Sequence, residues 1–192
     1  GTGTLENQNF TTATDSFNTA LGFFAGRAVT TGAENTLVGA LAGDAITTGN
    51  NNVAVGHLAL SSNVLSHFNT AIGNDALFTH NQATSIESFN TAVGFNTAAN
   101  LTTGIRNTMI GAKAGDALTD ADFNTSIGFE SVTADTLGSY TTAVGYQALA
   151  SQNFTTATNS HNTAVGMQSL AGVTTGVENT ALGSASGISV TT

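Results

Sequence analysis

The sequence predicts an all-β protein, a parallel β-solenoid of about ten coils, and three observations support this fold class. A five-residue core, typified by Asn-Thr-Ala-Val-Gly, recurs along the whole chain. β-Branched residues occupy alternate positions of that core, as they do in strands. Gly ends each core, and Thr-Gly pairs follow where the chain must turn again. Self-similarity at a short, fixed period indicates units that stack on their neighbours.

The repeat has two unit lengths. The core begins at Asn18, Asn35, Asn52, Asn69, Asn90, Asn107, Asn124, Thr141, Asn162 and Asn179. Successive starts are 17 residues apart, except for two intervals of 21, so three short units and one long unit form a superrepeat of 72 residues. Gly1 to Phe17 match Gly145 to His161, which are in a long unit. We treat residues 1–192 as a single repeat domain and expect it to be a segment of a longer fibrous protein, with flanking domains on the same chain.

Composition excludes several classes of function. Only 8% of the residues are charged and the net charge is −9, with three basic residues in all, so nothing could neutralise the phosphates of a nucleic acid. The chain has no cysteine, which rules out disulfides and thiolate metal sites. No apolar run approaches the ~20 residues of a membrane-spanning helix, so we expect no membrane insertion.

Core residues alternate between two faces, because strand side chains point to opposite sides with period 2. Position 4, counted from the core Asn, is Leu, Val or Ile in every unit, and we expect it to form a buried aliphatic column that includes Val55, Val93 and Val165. Position 2 is Thr in every unit but one and shares that face. Position 3, mostly Ala, points the other way. Five residues at ~3.3 Å each predict a strand of about 16 Å.

The residues after the strand predict how the coil turns. Position 5 is Gly in every unit, as at Gly22, Gly94 and Gly166, which fits a positive φ or a close approach between coils. Small residues three positions later predict a second short strand. Thr-Gly turns then complete the coil.

Oligomerisation follows from the thin core that such a coil provides. One aliphatic, several Ala and Thr and an occasional Leu bury little apolar surface for the number of residues that must be ordered. We expect the Ala-rich second face to be buried against sister chains.

The repeat resembles a known family of surface proteins. The stretch Asn51 to Gly56, NNVAVG, resembles the Asn-Ser-Val-Ala-Ile-Gly signature of the head domains of trimeric autotransporter adhesins of the YadA type. The cadence NTAVGxxAL…TTGxxNTAVG also resembles repeat regions of phage tail fibres. The resemblance implies a left-handed β-roll, a side-by-side homotrimer and a role in host attachment on a cell surface or virion. The chain departs from the adhesin motif in its Thr at position 2 and in its longer coils.

Candidate sites are few. The core Asn column, which includes Asn18, Asn90 and Asn162, is predicted to bond its own turn or the equivalent Asn one coil away. The residue preceding the core is aromatic, or His, in six units, which fits an aromatic ladder or a sugar-stacking strip; these residues are Phe17, Phe68, Phe89, Phe123, Tyr140 and His161.

The long units add four residues each, around Glu6 to Thr14, Phe78 to Ile86 and Ala150 to Thr158. Insertions in repeats often mark a binding face, so Phe10, His80 and Phe154 are candidate surface contacts for a host glycan or protein. The alternative is that the loops cover the flank or wrap a neighbouring chain.

No enzymatic motif is present. The acidic residues and the four histidines lack metal-site spacing, and there is no nucleophile elbow, phosphate loop or dinucleotide fingerprint. We therefore expect no catalytic residue, no metal and no cofactor. The leading hypothesis is an extracellular, non-enzymatic fibre segment that extends or presents a receptor-binding surface. The alternatives are a self-assembling filament subunit and an ice-binding solenoid.

Overall fold

The computed structural model describes all residues from Gly1 to Thr192 and consists of strands and turns without any helix. No segment could therefore cross a membrane as a helix. Ten strands of three residues form the main sheet: β1 (Thr19–Leu21), β2 (Thr36–Val38), β3 (Val53–Val55), β4 (Thr70–Ile72), β5 (Thr91–Val93), β6 (Thr108–Ile110), β7 (Thr125–Ile127), β9 (Thr142–Val144), β11 (Thr163–Val165) and β12 (Thr180–Leu182). Two further strands, β8 (Gly138–Ser139) and β10 (Thr158–Asn159), pair with each other.

The main sheet is parallel throughout and follows chain order, β1-β2-β3-β4-β5-β6-β7-β9-β11-β12. Each strand pairs in register with the next, position 2 beside position 2. Thr70 faces Thr91 across one long unit, and Thr142 faces Thr163 across the next. The four extra residues therefore leave the register unchanged. The parallel β-solenoid predicted from the repeat is confirmed, although its strands span positions 2 to 4 rather than the whole core.

The assignment of faces from the sequence was wrong. Position 3 points inward, and its side chains are fully buried at Leu37, Ala54 and Met109. Position 4 points outward: Leu21 and Leu182 are 64% and 74% exposed, and Val55, Val93 and Val165 are only partly buried. The predicted buried aliphatic column is thus an outer column. The Ala face is the core of each single chain and is not free to pack against sister chains.

The interior is filled from positions 3, 8, 9 and 12 of successive coils. Ala at positions 3 and 8 keeps the coil narrow, and Leu or another aliphatic at positions 9 and 12 fills the remaining width, as Leu60 and Leu118 do. One continuous apolar cluster runs from Ala25 to Ala181. Each coil buries its core against the coils on either side, as in other solenoids.

The predicted second strand does not form. The residues after the core Gly make a wide turn in which positions 7 and 9 adopt left-handed conformations, as at Leu58 (φ 57°) and Leu60 (φ 52°). This conformation costs an L-residue roughly 1–2 kcal/mol. Backbone bonds between coils offset that cost, because Leu58 donates to Ala40 at 3.0 Å and Leu60 donates to Ala76 at 3.0 Å.

The Gly column behaves as predicted. Gly22, Gly94 and Gly166 have φ values of 145°, 139° and 133°. A Cβ placed on Gly94 would lie 2.7 Å from the carbonyl carbon of Gly111 on the next coil. Position 5 therefore needs Gly for its dihedral angle and for the close approach of neighbouring coils.

Candidate functional site

The most distinctive surface of the molecule is the outer face of the main sheet. We define this outer face as the residue preceding each core together with positions 2, 4 and 6. All but three of the large exposed hydrophobic side chains lie on it: Phe17, Leu21, Phe23, Phe68, Ile72, Phe89, Phe95, Ile110, Phe123, Phe129, Tyr140, Tyr146, Met167 and Leu182. The exceptions are Val177, Ile188 and Val190.

The column preceding the cores is an aromatic ladder over much of its length. Phe68 stacks on Phe89 with ring centroids 5.1 Å apart, and Tyr140 stacks on Phe123 at 4.9 Å and contacts His161 at 5.3 Å. The guanidinium of Arg106 continues the stack over Phe123. The faces of these rings are covered by neighbouring rings. This favours the aromatic-ladder interpretation over a strip of rings whose faces are free to stack on sugars.

A second aromatic column was missed in the sequence. It lies at position 6, directly after the core Gly, and includes Phe23, Phe95, Phe129 and Tyr146. Phe129 and Tyr146 are nearly parallel, with centroids 5.9 Å apart. The signal in the sequence was the recurrence of large side chains after Gly. The two columns border the Thr and aliphatic columns on both sides.

The core Asn residues form a buried ladder inside the coil. Asn90 is representative: its Nδ2 donates to Gly104 O at 2.9 Å within its own coil, and its Oδ1 accepts the backbone N–H of Asn107 at 3.0 Å on the next. The predicted structural role of this column, which includes Asn18 and Asn162, is confirmed. Bonds to buried backbone groups occupy these amides, so they offer nothing to a ligand.

The side chains proposed as surface contacts in the long units are largely buried. His80 is fully buried, Phe154 is 5% exposed and Phe10 is half-buried. The exposed residues of the inserts are small and hydroxylated instead, chiefly Thr11–Asp15, Ala83–Ser85 and Thr155–Ala157. Sequence reasoning chose the large side chains of the loops, and these fold inward because they fill the wider coil.

Buried polar residues hold the loops in place, and this feature was also missed. Position 12 is apolar in most coils but polar in each long unit and in the unit before it, at Asn63, His80, Asp135 and Gln152. Asp135 accepts the backbone N–H groups of Gly138 at 3.1 Å and Phe154 at 2.9 Å, and the side-chain amide of Gln152 at 2.6 Å. Three donors compensate this buried carboxylate.

Gln152 also bonds to the one unit in which the Asn ladder lacks an Asn. Thr141 replaces Asn there, and Gln152 donates to its hydroxyl at 3.0 Å while accepting from Asn162 Nδ2 at 2.8 Å. The hydroxyl of Ser160 lies 2.7 Å from that of Thr141. Asp135, Gln152 and Thr141 therefore belong to one hydrogen-bond network.

His80 occupies the equivalent place in the preceding long unit. Its Nε2 lies 3.2 Å from Ser88 Oγ, and its buried Nδ1 has no hydrogen-bond partner. Burial lowers the pKa of His80 to about 4, with a weaker opposing contribution from the backbone of Thr102. The ring is therefore neutral at pH 7.

Charged side chains are sparse and contribute little. Two ion pairs are present, Arg27 with Asp44 at 3.6 Å and Lys113 with Glu130 at 3.8 Å, and both are partly exposed. Burial raises the pKa of the Asp44 carboxyl above its ordinary value, although Arg27 and a backbone hydrogen bond oppose the shift. No group of His, Asp and Glu could hold a metal ion, and the surface has no pocket.

Comparison with protein-family models, with curated proteins and with solved structures finds no match to this chain. The resemblance to surface fibres therefore rests on the repeat motif alone.

Proposed function

We propose that this chain is a non-enzymatic segment of an extracellular fibre that assembles as a homotrimer through its outer face and presents the long-unit loops on a cell surface or virion. The observation that supports this proposal is the concentration of exposed apolar side chains on one face of the molecule. Scattered exposed hydrophobics are ordinary in soluble proteins, whereas a contiguous apolar patch usually marks an interface.

The size of the face fits an interface between protein chains. Nine steps of ~4.8 Å between ten strands give a length of about 43 Å, and six residue steps of ~3.3 Å from the preceding residue to position 6 give a width of about 20 Å, so the area is on the order of 900 Å². Stable protein interfaces bury about 800 Å² on each partner. The outer face is almost uncharged, with only Glu34, Arg106 and Glu178 in the column preceding the cores. Copies of this acidic chain could therefore meet there with little repulsion.

The number of copies comes from the resemblance to trimeric adhesins. Light scattering coupled to size exclusion should give three times 19.2 kDa for the native chain. A Lys at Ile110 on the outer face should dissociate the assembly, because it would place a cation in the apolar interface. Ile110 and Ile188 are 39% and 43% exposed, so Ile188→Lys, which lies outside this face, is a matched control that should stay assembled.

A monomeric native chain would overturn the trimer. Assembly that survives Ile110→Lys would show that the interface lies elsewhere.

Ice binding remains a second candidate, because the structure places the position 2 Thr residues on the outside of a regular sheet, as at Thr91, Thr108 and Thr125. Ordered hydroxyls at a repeat of ~4.8 Å could organise water. The adjacent aliphatic and aromatic columns favour a protein partner on the same face. Thermal hysteresis in a solution of the native chain would favour the ice-binding role over the fibre role.

A further inference from the structure

The two complete long units are built on the same plan with different chemistry. Counting the partial long unit at Gly1 to Phe17 as the first, we call residues 78–88, with His67 on the coil before them, the second joint. Residues 150–160, with Ser139 on the coil before them, are the third joint. Both joints return the inserted loop to a parallel pairing with the preceding coil, His67 with Glu87 in the second and β8 with β10 in the third. The difference between them lies in which side chains hold the loop.

His67 accepts a backbone hydrogen bond that a serine hydroxyl accepts in the third joint. Its Nδ1 accepts the backbone N–H of Asn50 at 2.9 Å, and its Nε2 therefore carries the proton and lies 2.6 Å from Ser85 Oγ. One superrepeat later Ser139 Oγ accepts the backbone N–H of Asp122 at 2.9 Å. The two acceptors are equivalent, but only the imidazole can be lost to protonation, because an imidazolium has no acceptor.

His80 stands where Gln152 stands in the third joint. Gln152 makes three side-chain hydrogen bonds to Asp135, Thr141 and Asn162. His80 contacts Ser88, leaves its Nδ1 unpaired and is fully buried. A proton on His80 would place a cation in the core with only the backbone of Thr102 to offset its lost hydration, and such burial is strongly unfavourable.

From this pairing we propose that the second joint is an acid-opened latch: protonation of His80 releases the loop at residues 81–88, while the third joint stays closed. Gln152 and Ser139 do not titrate, so the molecule carries a pH-sensitive and a pH-insensitive version of one structural element.

Few charged groups lie near the latch. The titratable groups on the coils packed around the latch are Asp44 and His57 before it, Asp75 and Glu87 on its own coil, and Arg106 after it. None of them forms an ion pair with His67 or His80. His57 bonds instead to Asn74, at 3.2 Å.

The direction of the effect follows from linkage. The pKa of His80 is lowered to about 4 in the closed state and returns to its ordinary value near 6.5 when the loop opens. The open state therefore binds the proton more readily, so the closed latch is fully stable above about pH 6.5 and loses stability as the pH falls toward 4. Near pH 5 the opening equilibrium should rise roughly 10- to 30-fold, while ordinary carboxylates stay ionised.

Hydrogen exchange of the full chain at pH 7 and about pH 5, corrected for intrinsic rates, tests the latch within one molecule. We expect protection in residues 79–89 to fall roughly 10- to 30-fold relative to residues 151–161. The double variant His67→Ser and His80→Gln copies the side chains of the third joint. It should keep its protection at the lower pH.

Equal changes in the two joints, or no change in either, would overturn the proposal. An unchanged loss in the double variant would do the same. If that variant does not fold, an NMR titration of the native chain decides: a His80 imidazole that titrates near 6.5 in the folded protein contradicts the latch.

Discussion

At the scale of single residues, the repeat conserves its Gly for two physical reasons that can be separated. Gly128 has φ 136°, and a Cβ there would collide with the carbonyl oxygen of Gly145 on the next coil. Gly183 has φ 119°, but its last-coil position leaves nothing within 4 Å of an added Cβ. The two sites differ chiefly in the contact with the next coil.

Gly128→Ala should therefore destabilise the chain by several kcal/mol, whereas Gly183→Ala should cost only the ~1–2 kcal/mol of an unfavourable φ. Thermal and denaturant unfolding of the two variants measure this difference. Equal losses would mean that the dihedral angle alone explains the Gly column.

Polar residues in the core show what the sequence could have revealed at this scale. The buried bonding of the Asn column was predictable, because each Asn recurs with its turn. The hydrogen-bond network at Asp135 and Gln152 was not predicted. The polar residues that interrupt the largely apolar position 12 column were nevertheless visible in the sequence. Asp135 is buried through its contacts with a loop 19 residues away, and a single sequence does not give that contact.

At the scale of elements, alternation along the strand was predictable but the inward direction was not. Thr and Val suit a pleated surface, and Ala fits either face. The left-handed turn could not be predicted from the sequence either. Leu and Ala occupy its positions 7 and 9 in several coils, where a positive φ usually favours Gly or Asn. The inner face could be identified only once that turn set the width of the coil and left room for Ala at position 3.

The corrected faces reverse the expected effect of a charge in the strand. Ala92 is 1% exposed and points into the core, whereas its neighbour Val93 points outward and is partly buried. Ala92→Asp should prevent folding, since it buries an unpaired carboxylate at a cost of several kcal/mol. Val93→Asp should leave the fold of each chain intact and weaken only assembly through the outer face.

Circular dichroism reports folding in these two variants and light scattering reports assembly. A folded Ala92→Asp variant, or a Val93→Asp variant that unfolds, would restore the aliphatic column to the core.

At the scale of the whole molecule, the long units fix where the solenoid differs from a uniform rod. In-register pairing continues across each insert, so the loops of units 72 residues apart stand four coils apart, roughly 19 Å at ~4.8 Å per coil. The tips of the loops are exposed and carry hydroxyls. They are the best candidates for contact with a host glycan or protein.

Deletion of Thr155 to Thr158 shortens the third long unit to 17 residues and tests that assignment. The deletion removes Thr158 of β10 and its bond to Leu137, but Phe154 and its bond to Asp135 remain. The pairing of Thr142 with Thr163 already matches that of the short units. We expect a folded chain with the native mass by light scattering, a melting temperature within a few degrees of the parent, and weaker binding to a glycan array or to cells that the parent binds. Failed assembly would instead show that the loop wraps a neighbouring chain. Unchanged binding would place receptor contact on another surface, because the deletion removes the exposed hydroxyls while the main sheet and its outer face persist.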